Sequence, residues 1–216
     1  MTNEKIQDTC LAVLAGGDGS RLGFYKPLIQ LGDRKLVEYV LDNLARYFNE
    51  VLLVVKNTAH RNWLLNHIGG VINKYGVEIL LDKANVEGPI AGIMTAAEHC
   101  VNDYLAIAPS DTPFINFNIY KRLRSYIIEQ KYDAALPVWP NNYVEPLVSY
   151  NLRDKLIRVI TEKINSDELR VQDIYRSLNT AFVDVHSLSE NPSLDFLNIN
   201  DYKDLDLALK ILIKRG

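Results

Sequence analysis

Three short stretches carry the residues able to do chemistry. The first is LAVLAGGDGSRLGFYKPLIQLG, Leu11 to Gly32, an apolar run that ends in Gly16 and Gly17 and is followed by Gly19, Arg21 and Lys26. Glycines let a backbone bend and approach a ligand with no Cβ in the way. Successive N–H groups in such a turn form an anion-binding concavity. Arg21 can fork onto phosphate oxygens, and Lys26 can act as a mobile point charge. The chemistry expected here is the holding of a phosphate chain. The second stretch is IAPSDTPF, Ile107 to Phe114, with Asp111. A carboxylate beside a triphosphate is where Mg²⁺ belongs, because that ion takes one or two carboxylates and keeps phosphate and water ligands. Asp111 could instead cap the turn that Thr112-Pro113 shapes. The third is FLNIND, Phe196 to Asp201. If it is extended, Asn198 and Asn200 share one face and can offer amide oxygens to a metal or a phosphate. Asn200 or Asp201 could equally be the N-cap of a final helix.

The elements that must position these residues are legible as alternating apolar runs. Cys10–Leu14, Val51–Val55, Val77–Leu81 and Leu105–Ala108 read as buried strands, and Ala59–Ile68, Ile90–Cys100 and Ile119–Gln130 as helices between them. Leu36, Val37, Val40, Leu41 and Leu44 follow helical spacing. Continuous apolar strands separated by helices indicate a parallel sheet covered on both faces. Beyond residue 133, Ala134–Val138, Pro146–Tyr150 and Ala181–Val185 predict strands, and Leu152–Lys163, Glu168–Leu178 and a segment bearing Leu205, Ala208, Leu209 and Leu212 predict helices. The expected fold is α/β: a Rossmann-like three-layer α/β/α sandwich, mostly parallel, with mixed-direction strands late in the chain. At 216 residues one domain is expected, with a nucleotide-binding half over about 1–115 and an acceptor-binding half over about 116–216. In such sheets ligands bind beyond the carboxyl ends of the strands. That places the glycine loop and Asp111 on one edge.

Composition narrows the partners. Net charge is −3, so there is no electrostatic footprint for nucleic acid. No apolar run approaches the roughly 20 residues of a membrane span, so no membrane partner is expected. The first nine residues, MTNEKIQDT, are polar and unlike a secretory signal. Cys10 and Cys100 have no metal or redox spacing and read as packed thiols, which suits a reducing compartment. The expectation is a cytoplasmic protein. His60, His67, His99 and His186 lack ligand spacing.

Two common phosphate loops are excluded by residue type. Both a Walker A loop and a dinucleotide fingerprint beginning at Gly17 need a glycine where Leu22 stands. The second strand also ends Val55-Lys56-Asn57, without the acidic residue that would bind a ribose. What remains, L-A-G-G-x-G-x-R-L-G followed by K-P, resembles the signature of nucleotidyltransferases that activate sugars, cofactors and alcohols. With EGPIAG at Glu87–Gly92, SDTPF and FLNINDYKDL in that order, the chain resembles the molybdenum cofactor guanylyltransferases over residues 11 to 209.

That resemblance implies transfer of GMP from GTP to molybdenum-bearing molybdopterin, with Mg²⁺ as cofactor and molybdoenzyme-maturation proteins as partners. Leu14, Ala15 and Gly16 would contact the nucleotide through the backbone, beside the loop glycines Gly17 and Gly19. Lys26 would hold its phosphates, Asn57 the nucleotide, and Asp82 the guanine. Asp111 would bind Mg²⁺, with Asn198 and Asn200 as further candidate metal ligands. Gly88 and Gly92, beside a Pro89 suited to a first helical turn, could permit close approach of a base or ribose, or serve helix–sheet packing. Arg21, Lys26 and Asp111 are the candidate catalytic residues. Tyr25 stands where the family usually has an acidic residue, and Gly19 and Leu22 also depart from its bacterial members. Late segments, Glu145–Val148 and Leu169–Gln172, look like the family's substrate side. Competing readings are a cytidylyltransferase for the same pterin, a cobinamide-phosphate guanylyltransferase, a sugar-phosphate nucleotidyltransferase, or a non-catalytic nucleotide-binding regulator.

Overall fold

The computed structural model describes residues 5–17, 24–82, 88–164 and 170–215. Arg21 and Gly19 lie outside the described residues, as does Glu87.

The chain opens with strand β1 (Ile6–Leu14), a 3₁₀ turn at Lys26–Leu28, and a small hairpin of β2 (Gln30–Leu31) and β3 (Arg34–Lys35). There follow α1 (Leu36–Leu44), β4 (Phe48–Val55), α2 (Thr58–Tyr75), β5 (Glu78–Leu81), α3 (Pro89–His99), β6 (Tyr104–Pro109) and α4 (Phe117–Gln130). The later chain gives β7 (Ala134–Val138), β8 (Ser149–Leu152), α5 (Arg153–Lys163), α6 (Val171–Arg176) and β9 (Thr180–Asp184). It closes with the short α7 (Val185–Leu188) and α8 (Pro192–Asp195) and then α9 (Tyr202–Arg215). The main sheet has the order β5-β4-β1-β6-β8-β7-β9. All its pairings are parallel except those of β8, which runs against both β6 and β7.

Side-chain alternation along the strands builds the layers. In β1, Leu11 and Val13 face the side covered by α1, α2 and α4, whereas Cys10 and Ala12 face the side covered by α3, α5 and α6. Both faces are therefore apolar, as a largely parallel sheet requires. A smaller cluster of Leu31, Leu36, Phe114, Ile199 and Ala208 packs α9 against the β2–β3 hairpin. Among the described residues no helix is long and apolar enough to cross a membrane.

Two expectations need correction. The strand expected at Pro146–Tyr150 begins only at Ser149, because Glu145–Val148 forms a turn closed by Val148 N–H on the Glu145 carbonyl at 3.1 Å. The helix expected to end at Ile68 continues to Tyr75. Ile68 leaves helical geometry (φ −129°, ψ 20°) just before Gly69-Gly70, and the helix resumes beyond that kink. The two short helices after β9 have too few residues to show a period, so pattern alone does not reveal them.

Candidate active site

The carboxyl ends of β1, β4, β5 and β6 lie on one edge, and the sheet hydrogen bonding continues one residue past them. Ala15 N–H donates to Val54 O at 2.8 Å, Asp82 N–H to Val55 O at 2.8 Å, and Ser110 N–H to Leu14 O at 3.1 Å. These bonds hold the starts of three loops side by side. Ile199 N–H then donates to the Asp111 carbonyl at 2.9 Å, bringing the segment before α9 to the same edge.

Four of the expected side chains meet there. The Lys26 ammonium donates to Asp111 Oδ2 and, at 2.8 Å, to Asn200 Oδ1. Asn200 is not the cap of α9. Asp201 is: its Oδ1 accepts from Lys203 N–H at 2.8 Å and Asp204 N–H at 3.1 Å, and Asp204 reaches back to Asp201 N–H at 3.2 Å. That reciprocal cap satisfies the helix start and leaves the Asn200 amide for Lys26. With its nitrogen inward, Asn198 donates to Asp111 Oδ1 at 2.6 Å and Oδ2 at 3.1 Å. Rotated by half a turn, the same amide presents its oxygen beside the carboxylate. Glu145 also lies near. Burial pushes its carboxyl pKa up, a hydrogen bond from Trp139 Nε1 at 2.7 Å opposes that, and the Asp111 charge adds to the rise. Carboxylate and amide oxygens with no sulfur or imidazole are a hard donor set, which fits Mg²⁺.

A second recess lies against Asp82. A Cβ on Gly16 would stand 3.3 Å from Asp82 Oδ2, and one on Gly92 3.3 Å from Oδ1 and 3.2 Å from Leu14 Cδ2. Both glycines therefore permit close approach to the carboxylate, and Gly92 also lets α3 sit on β1. Burial raises the Asp82 pKa to about 6, with Lys56 pulling it down. Asp82 Oδ1 is buried with no hydrogen-bond partner among the described residues. Such an acceptor costs roughly 1–3 kcal/mol unless a ligand satisfies it.

Other expected residues have local roles. Asn57 is the N-cap of α2, its side-chain oxygen accepting from His60 N–H at 2.9 Å. Asn57→Ala should therefore lower stability by about 1 kcal/mol in a denaturant titration, and Asn57→Ser should not. Gly88 caps α3 at φ 75°, a conformation open to glycine. Gly17 is exposed, with open space where a Cβ would stand. Tyr25 is buried, donates to the Ala15 carbonyl at 2.6 Å and stacks on His60 at 4.0 Å, so it ties the loop's entry to the turn carrying Lys26. Sequence reasoning does not find the Glu145–Trp139 interaction. Its signal is the Asn141-Asn142 turn, where Asn142 has φ 65° and the chain folds back so that Glu145 N–H donates to the Pro137 carbonyl at 3.0 Å.

Together the fold and the site define a nucleotidyltransferase. The chain belongs to the MobA-like NTP transferase family, whose domain it matches over residues 11–181. A relative from Pyrococcus furiosus, named "probable molybdenum cofactor guanylyltransferase", is 30% identical over 94% of this chain and 97% of its own. One of the same name from Carboxydothermus hydrogenoformans is 27% identical over 95% and 98%. The solved molybdopterin-guanine dinucleotide biosynthesis protein A of Archaeoglobus fulgidus superposes with a TM-score of 0.79 at 26% identity, over 97% of this chain and all of that one.

Proposed function

We propose that the chain transfers GMP from GTP to a molybdopterin-type acceptor, releasing pyrophosphate. The observation that carries the guanine assignment is the Asp82 carboxylate between Gly16 and Gly92, whose buried Oδ1 has no partner among the described residues. Guanine offers two neighbouring donors, N1–H and the exocyclic amine, to such a carboxylate. Adenine and cytosine offer a single amine on that edge.

In this reading the acceptor's terminal phosphate oxygen attacks the α-phosphorus in line. That phosphate ionises with a second pKa near 6, so it needs no general base. Lys26 and Arg21 hold the β- and γ-phosphates as negative charge builds on the leaving group, which is catalysis by positioning and charge neutralisation. The backbone of Leu14 to Gly17 approaches the nucleotide without side chains in the way. Asp111, with Asn198, Asn200 and Glu145 around it, would hold Mg²⁺. When bound, that ion would offset charge on the phosphates. Residues 1–115 supply the nucleotide side. The Trp139–Glu145 hairpin of the later half faces the same edge and would meet the acceptor.

Calorimetric titration with GTP, CTP and ATP, with and without Mg²⁺, tests this. GTP should bind at least tenfold more tightly than the other two. Equal binding of all three would defeat the guanine assignment, and a CTP preference would point to the cytidylyl reaction. Lys26→Ala should raise the KM for GTP more than tenfold and lower kcat about 100-fold. Lys26→Arg should not restore it, because a planar fork cannot replace a point charge between Asp111 and Asn200. Steady-state assays read both.

A further inference from the structure

On the opposite edge of the sheet, three side chains distant in sequence converge. Register sets Cys10 of β1 beside Glu50 of β4, and Cys100 ends α3. Both thiols are buried, at 0% and 1% exposure. The two sulfurs and a Glu50 carboxylate oxygen all lie within 4.8 Å of one another. In a tetrahedral zinc site, with Zn–S near 2.3 Å and Zn–O near 2.1 Å, such atoms stand about 3.5–3.8 Å apart, so the cluster has the right dimensions.

The surroundings suit a cation as well. Glu50 is oriented by Asn102 Nδ2, which donates to Oε2 at 2.6 Å, and by Val101 N–H at 3.3 Å from both oxygens. Hydrogen bonds that orient a ligating carboxylate are a regular feature of metal sites. The Cys100 thiol can donate to either of two carbonyls, at 3.5 Å to Asn102 O and 3.6 Å to Tyr104 O. Arg153 donates to the Cys100 carbonyl at 2.7 Å and brings a positive charge alongside.

We propose that Cys10, Glu50 and Cys100 form a site for a thiophilic divalent cation of the zinc type, stapling β1, β4 and the α3–β6 connection. Binding replaces two thiol protons, which leave to solvent. Two thiolates, one carboxylate and Zn²⁺ sum to −1, beside an Arg153 guanidinium that also pairs with Asp154 at 2.7 Å. The site is separate from the nucleotide edge and does not rest on the proposed reaction.

The test uses the full chain, stripped with chelator under reducing conditions and titrated with ZnCl₂ or CoCl₂. One equivalent of zinc should bind with release of about two protons, read from the buffer dependence of the binding heat. Cobalt should show a thiolate charge-transfer band. In Cys10→Ala/Cys100→Ala, zinc affinity should fall more than about 100-fold, the upper range for losing even an outer-sphere partner. No zinc bound at stoichiometric concentration, or a cobalt spectrum without sulfur ligation, overturns the proposal. So does equal zinc binding by the double variant, or a Cys10–Cys100 disulfide formed with oxidised glutathione in protein that takes up no zinc. The cobalt spectrum is read on unaltered protein, so it decides the matter even if the variant fails to fold.

Discussion

Asp111→Asn should reduce metal-dependent turnover about 1,000-fold while the protein stays folded. The substitution keeps the side chain's size and its backbone carbonyl, which holds Ile199 N–H at 2.9 Å. The segment bearing Asn198 and Asn200 therefore stays in place. What is lost is the negative charge that faces Lys26 and would ligate Mg²⁺. Losing one group placed for transition-state charge costs about 10²–10³ in rate, and losing a metal's main carboxylate takes the upper end. GTP affinity measured without metal should change less than tenfold. Rates and melting temperatures of the two proteins check this, and full speed in the Asp111→Asn variant would remove Asp111 from the mechanism.

Asp82→Asn should abolish the preference for GTP over ATP and lower kcat/KM for GTP roughly 1,000-fold. A site built to hydrogen-bond its substrate discriminates strongly, because a mismatch leaves buried polar groups unpaired. The introduced amide would set donors against guanine's donors. The pH dependence gives a second reading. Asp82 has its pKa raised by burial to about 6, against about 3.9 for a free aspartate. GTP binding through this carboxylate should therefore weaken as pH falls through 6. The unliganded fold behaves oppositely. A raised carboxyl pKa means the charged form is disfavoured in the native state, so this group's contribution to stability is fully present below about 4 and is lost as pH rises through 6. Both slopes should flatten in the Asp82→Asn variant, as calorimetry and melting scans from about pH 4 to 8 will report.

The parts of this arrangement legible in sequence are those fixed by local pattern. Apolar runs of four or five residues mark the strands, and a glycine loop or an aspartate just past such a run has to lie at the sheet's carboxyl edge. The distinction between Asn200 and Asp201 is not legible, because either can cap a helix. Asp204, three residues on from Asp201, settles it through a reciprocal bond that only the folded turn displays. Glu145 is legible only as part of a segment like the family's substrate side, and its bond to Trp139 and its nearness to Asp111 are hidden for another reason. Its place depends on β7 and β8 folding back as a hairpin with β8 running against β6. Strand register sets Cys10 beside Glu50 across 40 residues, and the end of α3 brings Cys100 to them from 50 residues further on, spacings that no short pattern records.

The reversed direction of β8 also governs what the two halves of the chain can do apart. β6 pairs with β1 on one side and β8 on the other. A chain ending near residue 115 would keep the first partner and lose the second. Tyr104–Pro109, an almost wholly apolar strand, would then form an open edge with unpaired N–H and C=O groups, the usual template for strand-to-strand aggregation. The first half of the sheet therefore depends on the later half to cover that edge. Gene truncation or domain transplantation at that boundary would expose a sticky seam rather than release a self-contained module.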